Sequence, residues 1–453
     1  WKGQIATPSD PMPSNPLVPK VEPELEWIFG ASFQTGRDNL RYSASGDIIY
    51  HSAAVGIVLN DSTEEGAAHS SENTNGDRNG GNYSRNPYKQ RFFREHDDDI
   101  TCLDVDPNGR YVATGQVQSS KSRKMKPCVK IWDAESCRPI CTLGEFHKRA
   151  VSSVAFSADG KWCGSVGKDE NNSVALWGSR TGQWTDGKLL TTCRGDPSPT
   201  LFIAFAGDSE GDYDFVTGGK SHMRFWNVTG HTMKSRVGKL GQNVPPTKGK
   251  SVFLTAIGLG KGYYAAGMLS GHIFIFHKNK FVTSADAHKS SSSKSGCQAL
   301  HKKTLMRRGN TDMVEFVSGG SDGQIIMWEF VVGKGEPKLK EIQNSRFSVT
   351  SIVPRPKDHC IKSVCWDGSL RKILIGTRGS EAYTIKTNDN PKNRFDEPKL
   401  IFSGHYKDEV WGLAPHPLLP NVLATCGTLK FNYENMAVVF CCIFLVPCIF
   451  HVH

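Results

Sequence analysis

The chain has 453 residues, 38% of them hydrophobic and 22% charged, which is typical of a folded protein and excludes membrane-embedded and disordered classes. Its 55 lysines and arginines exceed its 45 aspartates and glutamates, so the formal net charge is +10. That excess would favour an acidic partner such as nucleic acid or a membrane surface, but solvated surface charge explains it better on a chain this long.

Thirteen cysteines are scattered singly and form no C-x-x-C pair. No secretory signal opens the chain, so we expect free thiols in a reducing cytoplasm. The first residue is Trp1 and not Met, which indicates a fragment or a processed chain.

The N-terminal part divides by composition. Residues 1–23 are rich in proline and polar residues and are predicted to be a disordered linker. Residues 24–60 contain two strand-like runs, Asp47–Tyr50 and Val55–Asn60. Residues 61–90 are rich in Gly, Asn and Ser and are predicted to be a flexible surface loop.

A repeat begins at residue 91. Short apolar strands end in an aromatic residue that a polar residue follows, at positions 132, 177, 226, 276 and 328. The intervals of 45 to 52 residues match one four-stranded propeller blade with loop insertions. Asp/Asn-Gly turns and small-residue strand ends such as Val112–Gly115 recur in phase with the aromatics.

We count seven copies over 91–428, and the last, which starts at Val410, is incomplete. No helical periodicity competes with the strands. The predicted fold is therefore an all-β, seven-bladed WD-repeat β-propeller.

The end of the chain, 429–453, does not continue the repeat. Its apolar stretch, Met436–Phe450, is interrupted by Pro447 and is shorter than the roughly 20 residues of a membrane-spanning helix. We interpret it as an aberrant hydrophobic tail. A tail anchor, and with it a membrane contact, is the alternative.

Each repeat predicts a buried polar chain. A Trp on the third strand, a Ser or Thr on the second, an Asp in the turn between them and a His before the first strand would hydrogen-bond in series, which makes a blade rigid when every member is satisfied. One copy has the full set, and three others have part of it, with His288 too far upstream to place. The predicted residues are His147, Ser165, Asp169 and Trp177, then His96, Thr114 and Trp132, then Trp226, and finally Ser318, Asp322 and Trp328.

Other chemistry is not supported. A Ser-His-Asp catalytic triad is the alternative reading of these chains, but the spacing recurs from copy to copy, which catalysis does not require. Neither a phosphate-binding loop nor a metal-ligand spacing occurs, so no catalytic residue, cofactor or metal is expected. Two basic insertions, 121–126 and 288–308, lack the interleaved aromatics of a nucleic-acid site.

The stretch 25–60 resembles the HELP motif, which opens the propeller module of the echinoderm microtubule-associated protein-like family. Later features that look like the family's blades are His96–Ile100 and Val410–Leu413. The HELP residues that carry the resemblance are Leu25, Trp27, Phe29, Gly30, Asn39 and Tyr50.

The resemblance implies a non-enzymatic scaffold of the cytoplasm and cytoskeleton that binds tubulin or microtubules and contacts other proteins through its propeller faces. The chain departs from the family in lacking coiled-coil heptads and in ending before a second propeller could begin. A WD-repeat adaptor for another complex, without tubulin binding, is the alternative function.

Overall fold

The computed structural model describes 25, 27–60, 89–120, 126–208, 211–241, 244–245, 251–288, 296–303, 313–332, 336–405, 410–415, 422–429 and 438–445. Seven four-stranded antiparallel sheets follow one another, and each is built from four consecutive strands. We number these sheets as blades 1 to 7 in chain order.

The first four blades span the N-terminal half. Blade 1 contains β1 (Arg41–Tyr42), β2 (Ile48–Ser52), β3 (Val55–Asn60) and β4 (Lys89–Phe93). Blade 2 contains β5 (Ile100–Val105), β6 (Tyr111–Gln116), β7 (Val129–Asp133) and β8 (Pro139–Leu143). Blade 3 contains β9 (Val151–Phe156), β10 (Trp162–Gly167), β11 (Val174–Gly178) and β12 (Lys188–Cys193). Blade 4 contains β13 (Thr200–Phe205), β14 (Phe215–Gly219), β15 (His222–Thr229) and β16 (Thr232–Val237).

The other three blades have the same organisation. Blade 5 contains β17 (Phe253–Gly260), β18 (Tyr263–Met268), β19 (His272–His277) and β20 (Lys280–Asp286). Blade 6 contains β21 (Cys297–Lys302), β22 (Met313–Gly320), β23 (Gln324–Val331) and β24 (Lys338–Ser348). Blade 7 contains β25 (Ile361–Asp367), β26 (Lys372–Thr377), β27 (Glu381–Lys386) and β28 (Lys399–Ser403), preceded by a short 3₁₀ helix, Val349–Ser351.

The two middle strands of a blade pack on both faces. All five residues of β11 are buried, whereas β12, at the outer edge of the same sheet, is largely exposed or half-buried. A strand covered on both faces needs apolar residues in continuous runs and not in alternation. The runs before each repeated aromatic residue therefore belong to the strand that lies third in each sheet.

Seven buried hydrophobic clusters join the blades, and each lies between two neighbours. Between blades 3 and 4, for example, Leu176 packs with Ile203 and Trp226. The seventh cluster joins blade 7 to blade 1, so the sequence of contacts returns to its start. The blades form a closed ring.

Closure between blades 7 and 1 depends on side-chain packing, because no described strand is shared between the two sheets. Phe33 is fully buried, and a Cβ on Gly376 would lie 3.2 Å or less from its ring. Tyr50 stacks on Phe402 with ring centroids 4.6 Å apart. Gly30 (φ +89°) lies so close to blade 7 that a Cβ would meet the Cα of Gly404 at 3.2 Å.

The predicted seven-bladed β-propeller is confirmed, but the blades are counted differently. The HELP stretch forms most of blade 1, so seven complete sheets precede Val410. Sequence periodicity did not count blade 1 because its third strand, Val55–Asn60, ends without an aromatic residue.

The copy that begins at Val410 belongs to a further, three-stranded sheet of β29 (Val410–Pro415), β30 (Val422–Leu429) and β31 (Val438–Leu445). Part of the predicted hydrophobic tail is thus β31, which pairs antiparallel with β30. The predicted linker 1–23 and nearly all of the loop 61–90 lie outside the described residues. Among the described residues, no helix is long and apolar enough to cross a bilayer.

The packing between blades 7 and 1 predicts that Phe33→Ala will lower the free energy of unfolding by about 3–5 kcal/mol, since it leaves a cavity in a fully buried cluster. Urea denaturation at neutral pH measures this loss. Leu400→Ala is the control, because Leu400 lies in blade 7 but is 44% exposed, and its effect should stay within about 0.5 kcal/mol. Equal effects of the two substitutions would contradict closure by packing.

Candidate functional site

Blade 3 brings together the four residues predicted from its repeat and adds a fifth. Trp177 Nε1 donates to Ser165 Oγ at 2.8 Å, and Ser165 Oγ lies 2.7 Å from His147 Nε2. His147 Nδ1 lies 3.1 Å from Ser173 Oγ, which donates to Asp169. Asp169 therefore reaches the histidine through a serine hydroxyl and not directly.

Blade 6 contains a chain that includes a residue the sequence could not place. Trp328 Nε1 donates to Ser318 Oγ at 2.9 Å, and Ser318 Oγ lies 2.8 Å from His288 Nε2. The other ring nitrogen of His288 lies 3.0 Å from Asp322 Oδ1. His288 precedes β21 by an insertion of eight residues, 289–296, and this insertion concealed the usual spacing.

The sequence of blade 2 lacks the acidic turn residue that other copies have. In the structure a glutamine, Gln116, bonds to the histidine instead. Trp132 Nε1 donates to Thr114 Oγ1 at 3.1 Å, and that hydroxyl lies 2.7 Å from His96 Nε2. His96 Nδ1 lies 2.6 Å from Gln116 Oε1. The amide nitrogen of Gln116 in turn donates to Asp97. The acidic residue that ends this hydrogen-bonded series, Asp97, thus directly follows His96 in the sequence.

The other blades keep less of this arrangement. In blade 4, Trp226 Nε1 donates to Thr217 Oγ1 at 2.9 Å, while His222 lies near Asp196, Nδ1 to Oδ1 3.4 Å. Blade 5 has buried Phe276 at the tryptophan position and packs it among other aromatic rings. Blades without the polar chain therefore depend on apolar contacts.

One proton assignment satisfies every member of the three complete chains. The indole N–H donates to the hydroxyl oxygen, and the hydroxyl donates to the histidine Nε2. The histidine Nδ1–H donates to Ser173 Oγ in blade 3, to Asp322 in blade 6 and to Gln116 in blade 2. Ser165 and Ser318 are both fully buried. Their hydroxyl hydrogens and oxygens are engaged, and no substrate can reach them, so these chains cannot act as the nucleophile and base of a hydrolase.

Burial keeps His147 and His96 neutral. It lowers the pKa of His147 to about 4, against a smaller opposing effect of Asp169. It also lowers the pKa of His96 to about 4, although the hydrogen bond with Gln116 opposes the shift. A neutral imidazole is what the assignment above requires, with one nitrogen donating and the other accepting.

The predicted HELP residues lie along the start of blade 1. Asn39 and Tyr50 are fully buried: Asn39 Nδ2 donates to the Ser32 carbonyl at 2.8 Å, and Gln90 Nε2 donates to Tyr50 Oη at 3.0 Å. Gln90 also pairs with the backbone of Ile28 in both directions, at 2.7 and 3.0 Å. Toward the N-terminus of the motif the side chains are more exposed, as seen for Leu25, Trp27 and Phe29 (44% exposed).

The segment before β1 that contains Arg37 and Asp38 lies in the centre of the ring. Thr255 Oγ1, on β17, donates to Asp38 Oδ2 at 2.9 Å, and Arg37 Nε donates to Gln298 Oε1, on β21, at 3.0 Å. The Asp38 N–H donates to the Lys362 carbonyl, on β25, at 3.1 Å. These strands are the innermost ones of blades 5, 6 and 7. One short segment can touch all three only from within the central channel.

Charges in the channel are partly compensated. Arg41 Nε lies 3.4 Å from Asp104 Oδ1, on the innermost strand of blade 2. Burial raises the pKa of Asp38 to about 6, while Arg41, the Thr255 hydrogen bond and Arg37 oppose that shift. Asp38 Oδ1 is buried and has no hydrogen-bond partner among the described residues. Sequence motifs alone did not indicate this polar channel.

Neither a metal site nor a contact surface on the two basic insertions can be built from the described residues. Across the described ranges, no group of three or more His, Cys, Asp or Glu is arranged to hold a metal ion. The insertion 121–126 is described only at Lys126, whose Nζ donates to the Glu145 carbonyl at 2.8 Å. Most of the insertion 288–308 lies outside the described residues.

Two family models match this chain. The model described as the echinoderm microtubule-associated protein first beta-propeller matches residues 89–380, and the HELP motif model matches residues 18–57. The HELP match ends within β3 and the propeller match begins at β4, so together they cover the strands of blade 1 except for residues 58–60.

Two curated relatives are similar to most of this chain. The 77 kDa echinoderm microtubule-associated protein of Strongylocentrotus purpuratus is 24% identical over 90% of this chain and 50% of its own length. Human echinoderm microtubule-associated protein-like 2 is 24% identical over 91% of this chain and 54% of its own length. The chain thus spans about half the length of these curated relatives. A chain in a crystal structure of the mitotic checkpoint complex, 11% identical, aligns over 84% of this chain and 100% of itself with a TM-score of 0.52, which shows the fold alone.

The polar chain of blade 3 predicts that Ser165→Ala will destabilise the protein by about 2–4 kcal/mol, because both Trp177 Nε1 and His147 Nε2 lose a buried partner. Ser165→Thr is the matched control, since blades 2 and 4 use threonine at the same strand position, and it should cost less than about 1.5 kcal/mol. Chemical denaturation monitored by tryptophan fluorescence measures both. Equal stability of the alanine and threonine variants would mean that the hydrogen bonds of Ser165 do not stabilise the blade.

The neutral state of His147 predicts a pH dependence. Its folded pKa is about 4, below the ordinary 6.5, so the unfolded chain binds the extra proton first as pH falls. Its contribution is fully present above pH 6.5 and is lost as pH falls toward 4. His147→Gln should therefore make the decline in unfolding free energy shallower by about 1.4 kcal/mol per pH unit in that window. Parallel pH profiles of the two proteins would contradict a buried neutral histidine.

Proposed function

Because this chain belongs to the echinoderm microtubule-associated protein family, we propose that it is a cytoplasmic, cytoskeletal scaffold that binds tubulin or microtubules through its HELP and propeller module. The observation that carries the proposal is the HELP motif directly followed by the family's first propeller, together covering 18–57 and 89–380. The sea urchin relative is named a microtubule-associated protein, and the human relative is named a microtubule-associated protein-like protein.

The architecture is suited to binding and not to chemistry. A closed ring of seven sheets holds many loops in fixed positions at its two ends, so one rigid body can present several contact points to a partner. The serine and histidine side chains that resemble catalytic groups are buried within the blades. These points support a scaffold.

We place the contact on the loop face next to His147. Lys148 and Lys168 are exposed there, on loops at the same end of blade 3, while the neighbouring Arg149 pairs with Glu170, Nη2 to Oε1 3.1 Å. Exposed cations of this kind would add to the chain's net charge of +10 in attracting an acidic partner.

Co-sedimentation of the full chain with microtubules tests the function. We expect pelleting at low salt that declines as salt rises, because exposed charges are screened within about 10 Å at 0.1 M. Depletion of soluble tubulin on the immobilised chain is the parallel measurement. Folded protein, verified by circular dichroism, that neither pellets nor retains tubulin at low salt would exclude this function and favour the adaptor alternative.

A matched pair of variants tests the face. The double variant Lys148→Glu/Lys168→Glu should weaken microtubule binding roughly tenfold, because it opposes the proposed attraction at two positions. Lys338→Glu/Lys340→Glu makes the same charge change at two exposed lysines on β24, the outer edge of blade 6, and should bind nearly as the unmodified chain does. If the Lys338/Lys340 variant lost binding and the Lys148/Lys168 variant kept it, the contact would lie on the outer edge of the blades and not on the loop face.

A further inference from the structure

We propose that one mouth of the central channel binds a phosphoryl group, held by Arg37 and Lys362. This site is separate from the proposed tubulin contact and does not depend on it. It stands on the placement of two cations that form no ion pair within the described part of the chain.

Lys362 is the less expected of the two. It lies on β25, the innermost strand of blade 7, at a bulge in its pairing with β26, and only 7% of it is exposed. Within the described residues, no hydrogen bond or ion pair satisfies its ammonium group. A lysine this buried is normally paired, because transferring an unpaired charge out of water is costly. An anion supplied from outside the chain would satisfy it.

Arg37 is held in place but not neutralised. Its Nε donates to Gln298 Oε1 at 3.0 Å, and Gln298 Nε2 is itself fixed by donation to Ser321 Oγ at 2.9 Å. Gln298 occupies the same bulge position in blade 6 as Lys362 does in blade 7. Two neighbouring blades thus place one cation and one orienting amide at the same level of the channel. Within the described ranges, Arg37 forms no ion pair through its two terminal nitrogens.

The two cations are close enough to affect each other. The pKa of Lys362 is lowered to about 8, first by burial and then by the positive charge of Arg37. A further cation that acts on Lys362, Arg378, is paired with Asp358, Nη2 to Oδ2 2.7 Å. Arg37 and Lys362 have no such ion pair within the described residues, although the carboxylate of Asp38 acts on both.

Asp38 is the local anion, but it does not fill the site. One of its carboxylate oxygens accepts from Thr255 at 2.9 Å, and its other oxygen, Oδ1, has no partner among the described residues. A phosphoryl group carries several acceptor oxygens that a guanidinium and an ammonium can share, and its protonated oxygen can donate to a carboxylate. The combination of two unpaired cations and one unpaired acceptor fits that group better than a simple carboxylate.

Isothermal titration of the full chain with inorganic phosphate and with O-phosphoserine, at constant ionic strength, tests the site. Acetate is the third arm and distinguishes phosphoryl from carboxylate recognition. We expect both phosphoryl compounds to bind and acetate to bind at least tenfold more weakly. Failure of both phosphoryl compounds to bind, or acetate binding as tightly as they do, would overturn the proposal.

A lysine variant and its matched control connect the binding to Lys362. Lys362→Met keeps the aliphatic stem and should weaken phosphate binding roughly tenfold or more, since it removes a charge-assisted hydrogen bond. Lys338→Met removes an exposed lysine on β24 and should leave the affinity unchanged. Unchanged affinity in Lys362→Met would contradict the site.

Asp38→Asn provides a test that misfolding cannot imitate. The Asp38 backbone has φ +51°, which asparagine also tolerates, and the amide oxygen can still accept from Thr255. The amide Nδ2 that takes the place of Oδ1 can donate to an unprotonated phosphoryl oxygen and carries no negative charge, so phosphate binding should tighten several-fold at pH 8, where the dianion predominates. Weaker or unchanged binding in this variant would overturn the placement of the phosphoryl group beside Asp38.

Discussion

The ring closes through side-chain packing, and the rest of the structure depends on that closure. Each sheet is made of four consecutive strands, so blades 7 and 1 are joined by no shared strand among the described residues. Phe33 and Tyr50 from the HELP stretch pack against Phe402 and the strands of blade 7. Without this cluster, one face of blade 7 and one face of blade 1 would expose apolar surface to water. The HELP motif is therefore a structural part of the propeller.

Buried polar groups make the blades rigid in different ways. In blades 2, 3 and 6 a tryptophan, a hydroxyl, a histidine and an acceptor form one satisfied chain. Blade 5 has aromatic packing around Phe276 instead. Some buried polar groups have no partner in the described part of the chain. In the channel these are Asp38 Oδ1 and the nearly buried Lys362, and elsewhere they are Asn39 Oδ1, His51 Nδ1, Arg91 Nε and Trp366 Nε1. Unsatisfied groups of this kind are costly in a core, and a bound ligand or ion is one explanation for them.

Local features could be predicted from the sequence, and features that depend on distant residues could not. Trp177 and its partners recur at regular spacing, so the blades and most members of their polar chains were predicted from the repeat. His288 was not placed because an insertion separates it from its blade, and Gln116 was not recognised because it replaces the usual acid. Blade 1 lacks the repeated aromatic residue, and the channel contacts of Arg37 and Asp38 join residues more than 200 positions apart.

Native-state hydrogen exchange at the amides of β2 and β3 tests the central claim most directly. If blade 1 is an integral part of the ring, these amides should exchange only through global unfolding, with the same opening free energy and denaturant dependence as those of β10 and β11 in blade 3. Exchange of β2 and β3 through a local opening several kcal/mol below the global value would contradict the account. The HELP strands would then be an appendage on a ring that closes without them.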